Sequence, residues 1–264
     1  LIMNTFMSRR MFMQGMVLMP AFFTTPLRAQ NAASWNKAAF AAKGFSEVMR
    51  ILGAPNGVVT ETSAIQIAEP DTTEGVKIRL DITTRLSQVD QVAILVEKNP
   101  TTLTAWFQLP AGTDPNLLTH IKVAETSVVM VAMRSEGKWW AARRTFTSIG
   151  GGCGGAGEGT LQAGSTLIRP VMREGRTLVR SRITHPMISQ LARDAAGKPI
   201  APWFIQTLRA SHQGRTVLDA QFSTAIARDA SLNFVFSGAK TGDRVQIAWS
   251  DNRGESRSDE GIIV

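Results

Sequence analysis

Cys153 is the only cysteine in 264 residues, and it stands inside SIGGGCGGAGEG, residues 148–159. Seven of the ten residues 150–159 are glycine. Such a stretch has almost no side chains to bury, and glycine gives the backbone its widest conformational freedom. The most reactive side chain of the chain therefore sits on its least packable piece. A catalytic thiol is normally fixed beside a base or a helix N-terminus that lowers its pKa. Nothing near Cys153 in the sequence supplies either, and the three histidines, His120, His185 and His212, fall in separate strand or loop contexts. Four metal ligands are not within reach of one cysteine. A glycine-rich linker with an incidental thiol is the plain alternative. However, flexible linkers favour serine, and an idle thiol in an oxidising compartment is a hazard. The remaining chemistry is that of a carrier. Gly150, Gly151, Gly152, Gly154 and Gly155 form a thin arm, and Cys153 takes cargo covalently into another protein's active site. An acidic thiol is not required for this, because the visited enzyme can activate it.

The elements around this segment are strands. In GVKIRLDIT, Val76, Ile78, Leu80 and Ile82 alternate with Lys77, Arg79, Asp81 and Thr83, which is the period of a half-wet strand. Further strands are expected over 89–98, 103–109, 120–125, 127–134 and 138–147, with SEGK (135–138) as a hairpin turn. After the glycine run a second series covers 165–171, 176–184, 203–211, 215–222, 232–238, 244–250 and 256–264. REG, HQG, KTGD and DNRG separate these strands, with the turn chemistry that hairpins use. Ahead of both series, residues 34–52 read as one amphipathic helix capped by Ser34 and stopped by Gly53 and Pro55. The expected fold is mainly β. Two immunoglobulin-like antiparallel β-sandwich domains, 30–149 and 164–264, follow a short N-terminal helix and are joined by a Gly-rich loop, 150–163. The tryptophan-containing pairs Trp139-Trp140 and Trp203-Phe204 read as core or interface residues. For THPM (184–187) two readings stand: an interface role for His185, Pro186 and Met187, or a bare strand-ending turn.

The N-terminus reads as an address. Arg9 and Arg10 precede an apolar run from Gly15 to Phe23, and Leu27-Arg28-Ala29 offers a small-residue cleavage site, so residues 1–29 are expected to be a signal peptide of twin-arginine type. The alternatives are a general secretory peptide or a membrane anchor, and Met3 or Met7 is the expected start. Removal of the peptide takes the formal charge from +8 to +5. The remaining basic residues read as spread out, without the clustering a nucleic-acid footprint needs. A mildly basic second half suits acidic partners or anionic substrates. A disulfide, if one forms, must pair two chains into a linked homodimer.

GGCGG (151–155), preceded by VAILVEKNP (92–100), IKVAETSVVMVA (121–132) and GKWWAA (137–142), resembles the Y subunit of the Sox sulfur-oxidation carriers. RSRITHPMISQLARDAAGKPI (180–200), LNFVFSGAKTGD (232–243) and IAWSDNRGES (247–256) resemble the Z subunit, with KPIAP as a small departure from KPIP. The resemblance implies a periplasmic carrier, not an enzyme, without cofactor or metal. Its Cys153 takes thiosulfate as an S-thiosulfonate from a c-type cytochrome thiol-ligating enzyme. A sulfate-releasing hydrolase and a sulfur dehydrogenase then act on the bound cargo. It implies no nucleic acid and no membrane contact after signal cleavage. One departure matters: the motif ends the Y chain in two-chain carriers, whereas here the chain runs on, so the arm is tethered at both ends. With close anchors its apex would rise roughly 20 Å. A carrier or docking module of a periplasmic quinoprotein dehydrogenase is the alternative.

Overall fold

The computed structural model describes residues 34–68, 77–147 and 162–264. The described residues open with two short helices, α1 (Lys37–Ala41) and α2 (Phe45–Ile51), where the sequence suggests one. The break is physical: Gly44 adopts φ 75°, the left-handed region, as the residue capping α2. The cap of α1 is Asn36, whose side chain accepts from the Ala39 N–H, and not Ser34.

Fifteen strands follow among the described residues. From the first half come β1 (Thr60–Glu61), β2 (Ile65–Ile67), β3 (Lys77–Thr84), β4 (Val89–Val96), β5 (Leu103–Gln108), β6 (Leu117–Lys122), β7 (Ser127–Ser135) and β8 (Lys138–Phe146). From the second come β9 (Thr166–Arg173), β10 (Arg176–Ile183), β11 (Ile205–His212), β12 (Arg215–Phe222), β13 (Ser231–Ser237), β14 (Arg244–Asp251) and β15 (Ser256–Ile262). Three hairpins turn on a positive-φ pair ending in glycine: Glu136-Gly137, Glu174-Gly175 and Gln213-Gly214. Such a pair matches the right-handed twist of the flanking strands. β6 starts at Leu117, three residues before the expected strand, because Leu117, Thr119 and Ile121 all point inward.

The strands form two layers, ordered β1-β8-β7-β4-β5-β12-β11-β14-β15 and β2-β3-β6-β13-β10-β9. Each half contributes to both layers, so each is an immunoglobulin-like sandwich in its own right. The halves meet edge to edge. β5 pairs with β12 through Phe107↔Ala220 and its neighbours, and β6 pairs with β13 through Thr119↔Leu232. The sheets therefore run uninterrupted through both halves, and one apolar core spans them. Phe107 and Phe222 meet edge to face at 6.0 Å in that core, across the seam. The N-terminal helices add a tie: the Trp35 indole donates to the Phe222 carbonyl, and Gln221 accepts from the Asn36 N–H.

At the far flank the chain end closes the sandwich. Val264 exchanges backbone hydrogen bonds with Pro170 and Met172 of β9. Among the described residues no helix is long and apolar enough to cross a membrane.

Candidate functional site

Cys153 and the arm glycines Gly150, Gly151, Gly152, Gly154 and Gly155 lie outside the described residues, within 148–161. What the structure defines is the pair of anchors that hold this segment. The first is the end of β8. Phe146 is buried and pairs with Ser127, whose hydroxyl accepts from the Lys98 N–H. The second is the entry to β9. The Gly164 N–H donates to the Thr184 carbonyl, the Thr184 N–H to Ser165, and the Thr166 N–H to the Asp259 carboxylate at 2.7 Å. Burial alone would raise the pKa of Asp259, but Arg257 and the Thr166 N–H outweigh it and hold the carboxyl below its usual value.

The anchors do not lie close together. β8 is second from one flank of the nine-stranded sheet, whereas β9 is the last strand at the opposite flank of the other layer and packs on β14 and β15. The reason is the edge-to-edge joining of the halves, which sends the connection across the width of the molecule.

Next to the β9 anchor, the THPM segment is held by a buried polar cluster. His185, Pro186 and Met187 are all buried. The Asp251 carboxylate is the hub. It accepts from the Trp203 indole at 2.6 Å, from the Arg253 and Glu255 N–H groups at 2.8 and 2.9 Å, and from His185 Nε2 at 3.4 Å. His185 Nδ1 accepts from the Met187 N–H at 3.1 Å, which fixes the proton on Nε2. The His185 ring lies edge-on to Trp203 and Trp249, and the Arg253 guanidinium covers the Trp203 face at 4.2 Å. Burial pushes the His185 pKa below its ordinary value, against the upward pull of Asp251. Both ring nitrogens are engaged and the side chain has no exposure, so His185 cannot serve a substrate as acid or base. The cluster is a clamp.

The clamp also reaches the first half, since the Lys122 ammonium donates to the Met187 carbonyl at 2.6 Å. A small cleft opens at this seam, lined on one side by Asn99, Pro100 and Lys122 and on the other by Leu191 and Thr224. His120, on the outer face of β6, shares a hydrogen bond with Ser231, and His212 pairs with Asp243. Trp139 and Trp203 are buried in separate clusters. Sequence reasoning missed Asp251, Lys122 and Arg253. They stand far from THPM in the chain and carry no local signal. No group of three or more His, Cys, Asp or Glu that could hold a metal occurs among the described residues.

Two immunoglobulin-like sandwiches joined edge to edge through both sheets define a class of mainly β protein. The chain belongs to the Sox sulfur-oxidation family as a SoxY–SoxZ fusion: the family described as sulfur oxidation protein SoxY matches residues 49–153, and sulphur oxidation protein SoxZ matches residues 168–261. Among solved structures, the sulfur carrier protein SoxY from Chlorobium limicola f thiosulfatophilum is 21% identical, over 41% of this chain and 95% of that one, with a TM-score of 0.36. The BSP domain of a biofilm associated protein is 10% identical, over 85% of this chain and 33% of that one, with a TM-score of 0.25. No curated protein sequence matches the chain.

Proposed function

We propose that the protein is a periplasmic carrier that holds sulfur-oxidation intermediates covalently on Cys153 and presents them to partner enzymes. The observation that carries this reading is the lone thiol in a glycine-rich segment at the junction of a SoxY and a SoxZ domain. The twin-arginine-type N-terminus supports export.

The chemistry balances without a resident cofactor. Loading joins the Cys153 sulfur to the outer sulfur of thiosulfate. The thiol proton leaves, and two electrons pass to a haem-bearing partner. Hydrolysis by a second partner breaks the bond between the two cargo sulfurs. Water supplies the oxygen of the departing sulfate, and a persulfide stays on Cys153. A dehydrogenase then oxidises the retained sulfur, with water again the oxygen source and the enzyme's own acceptor taking the electrons.

The separated anchors set the reach of the thiol. Of the strands that cover β9, β14 lies six and β15 seven strand spacings from β8, or roughly 30 Å. Thr147 to Cys153 spans at most about 20 Å, and Cys153 to Gln162 at most about 31 Å. These lengths allow Cys153 to rise roughly 19 Å from the line joining its anchors. Along the sequence Cys153 is six steps from Thr147 and nine from Gln162, so the shorter tether limits the height.

The test is intact-mass measurement of protein from thiosulfate-grown host cells. The expected result is a sulfur adduct that reductant removes and that Cys153→Ser lacks. A parent protein with an unmodified thiol, or a Cys153→Ser strain that oxidises thiosulfate at the normal rate, overturns the reading.

A further inference from the structure

The two-residue turn Glu174-Gly175 fixes the register of β9 against β10 and gathers arginines that the sequence reading took as spread out. Along the outer face of the six-stranded sheet, Arg169 stands directly opposite Arg180, and Arg173 opposite Arg176. Between these two pairs lies an apolar row, Val171–Leu178–Val235, continued across β13 by direct register partners. All four arginines are exposed. Arg176 is paired with Asp114, and Arg182, one row nearer the β9 anchor, with Asp229, both at 2.7 Å. Arg169 and Arg180 form no ion pair with any described residue. Like charges directly opposed on neighbouring strands are destabilising. A pair kept against that cost, beside half-buried apolar side chains that no described element covers fully, marks a surface shaped for something other than stability.

We propose that this β9–β10 face docks an acidic surface of the enzymes that Cys153 visits, an inference that rests on the carrier reading. Three observations select that occupant. An apolar centre with arginine around it is the composition of protein interfaces, in which arginine is enriched and lysine depleted. A nucleic-acid backbone would instead meet Val171, Leu178 and Val235 at the centre of the face, and the Asp114 and Asp229 carboxylates at its margins. A second copy docked symmetrically would bring Arg169 and Arg180 against themselves. The position also fits the task, because Leu167 and Arg169 are the first outward residues after the segment that carries Cys153 returns to the fold. A partner held there stands beside the tether and not at the far end of the sandwich.

The experiment uses the full chain in its host. Leu178→p-benzoylphenylalanine provides a photocrosslinking probe, and Arg180→Glu reverses one charge of the opposed pair. Lys138→Glu, on the exposed start of β8 and the other layer, is the matched control. The expected crosslink is to a protein identified by its peptides and joined beside Asp or Glu residues. Arg180→Glu removes it, and Lys substitutions at those carboxylates restore it. In thiosulfate-grown cells Arg180→Glu slows loading of Cys153 on the order of tenfold, as loss of a steering charge does, while Lys138→Glu does not. An unchanged melting temperature of Arg180→Glu separates this from misfolding. Normal loading and an undiminished crosslink in Arg180→Glu overturn the proposal. So does a crosslink to a second copy of the chain, or a gel shift of a short DNA duplex that Arg180→Glu abolishes. If the parent shows no adduct on Cys153, the carrier reading fails by itself, and the charge dependence of the crosslink still decides the docking face.

Discussion

At the residue scale, Asp251 does the most structural work near the site. Its carboxylate is buried and meets four donors, two of them backbone N–H groups. Asp251→Asn keeps the shape but exchanges one acceptor oxygen for a donor. Trp203 can only donate, and His185 cannot switch tautomer while its Nδ1 accepts from Met187. Donor then faces donor in a buried site, so the expected loss is about 3 kcal/mol. Urea unfolding checks it as a lower midpoint at unchanged slope. A second prediction concerns pH. Burial lowers the pKa of both His185 and His120, helped at His120 by Lys77 and Arg79, while Asp251 and Asp229 oppose the shift at His185. A histidine that resists protonation in the folded state, but not in the unfolded one, contributes stability above its unfolded pKa of about 6.5 and loses it as pH falls below. Asp243 and Asp259 have pKa values lowered from 3.8 and act only in more acid solution. The melting temperature should therefore drop between about pH 7.5 and pH 5, and His120→Gln should reduce the drop. Equal melting temperatures across that range would contradict this account.

At the element scale, local chemistry made most strands legible. The alternation of Lys77, Arg79 and Asp81 with Ile78, Leu80 and Ile82 gave β3 its inward and outward faces directly. Glycine at the second turn position marked three hairpins. The helix was misjudged because an apolar stripe tolerates one glycine on paper, whereas Gly44 takes a left-handed conformation that ends the helix. β1 and β2 escaped notice because two or three residues show no period. The basic face was readable in principle. Once REG is a two-residue turn, Arg169 must oppose Arg180. The Asp251 clamp was not readable, since its members meet only through β11–β14 pairing. A close approach of two strands yields a further prediction. A Cβ on Gly261 of β15 would lie 2.9 Å from both the backbone oxygen and Cγ2 of Ile168 on β9. Backbone cannot rotate away as a side-chain tip can, so Gly261→Ala should cost about 1–3 kcal/mol, seen as a lowered melting temperature. An unchanged value would mean that β9 and β15 can slide apart freely.

At the scale of the whole molecule, the seam decides how the thiol can be used. β5 is buried on both faces because the shared core covers Ala105 and Phe107 and the N-terminal helices cover Leu103, which carries no information about the strand that pairs at its edge. The identity of the partner strand had no local signal, because a pairing such as Phe107↔Ala220 joins residues far apart in the chain. Sharing the sheets places β8 and β9 on opposite flanks, so under the carrier proposal the connection has to serve both as strap and as arm. These two roles can be separated by length. Deleting residues 157–160 leaves eleven steps between Thr147 and Gln162, about 37 Å when extended, which still exceeds the roughly 30 Å to be crossed. The fold and its melting temperature should survive. The tether beyond Cys153, however, shortens from about 31 Å to about 17 Å, and the height available to the thiol falls from roughly 19 Å to roughly 11 Å. A partner with a deep active site should then load the variant slowly, while a small soluble thiol reagent should still modify Cys153 at the parental rate. Time courses of both reactions by intact mass give the answer. Parental loading by the partner would show that reach is not limiting, and loss of both reactions would show that the shortened strap has disturbed the fold.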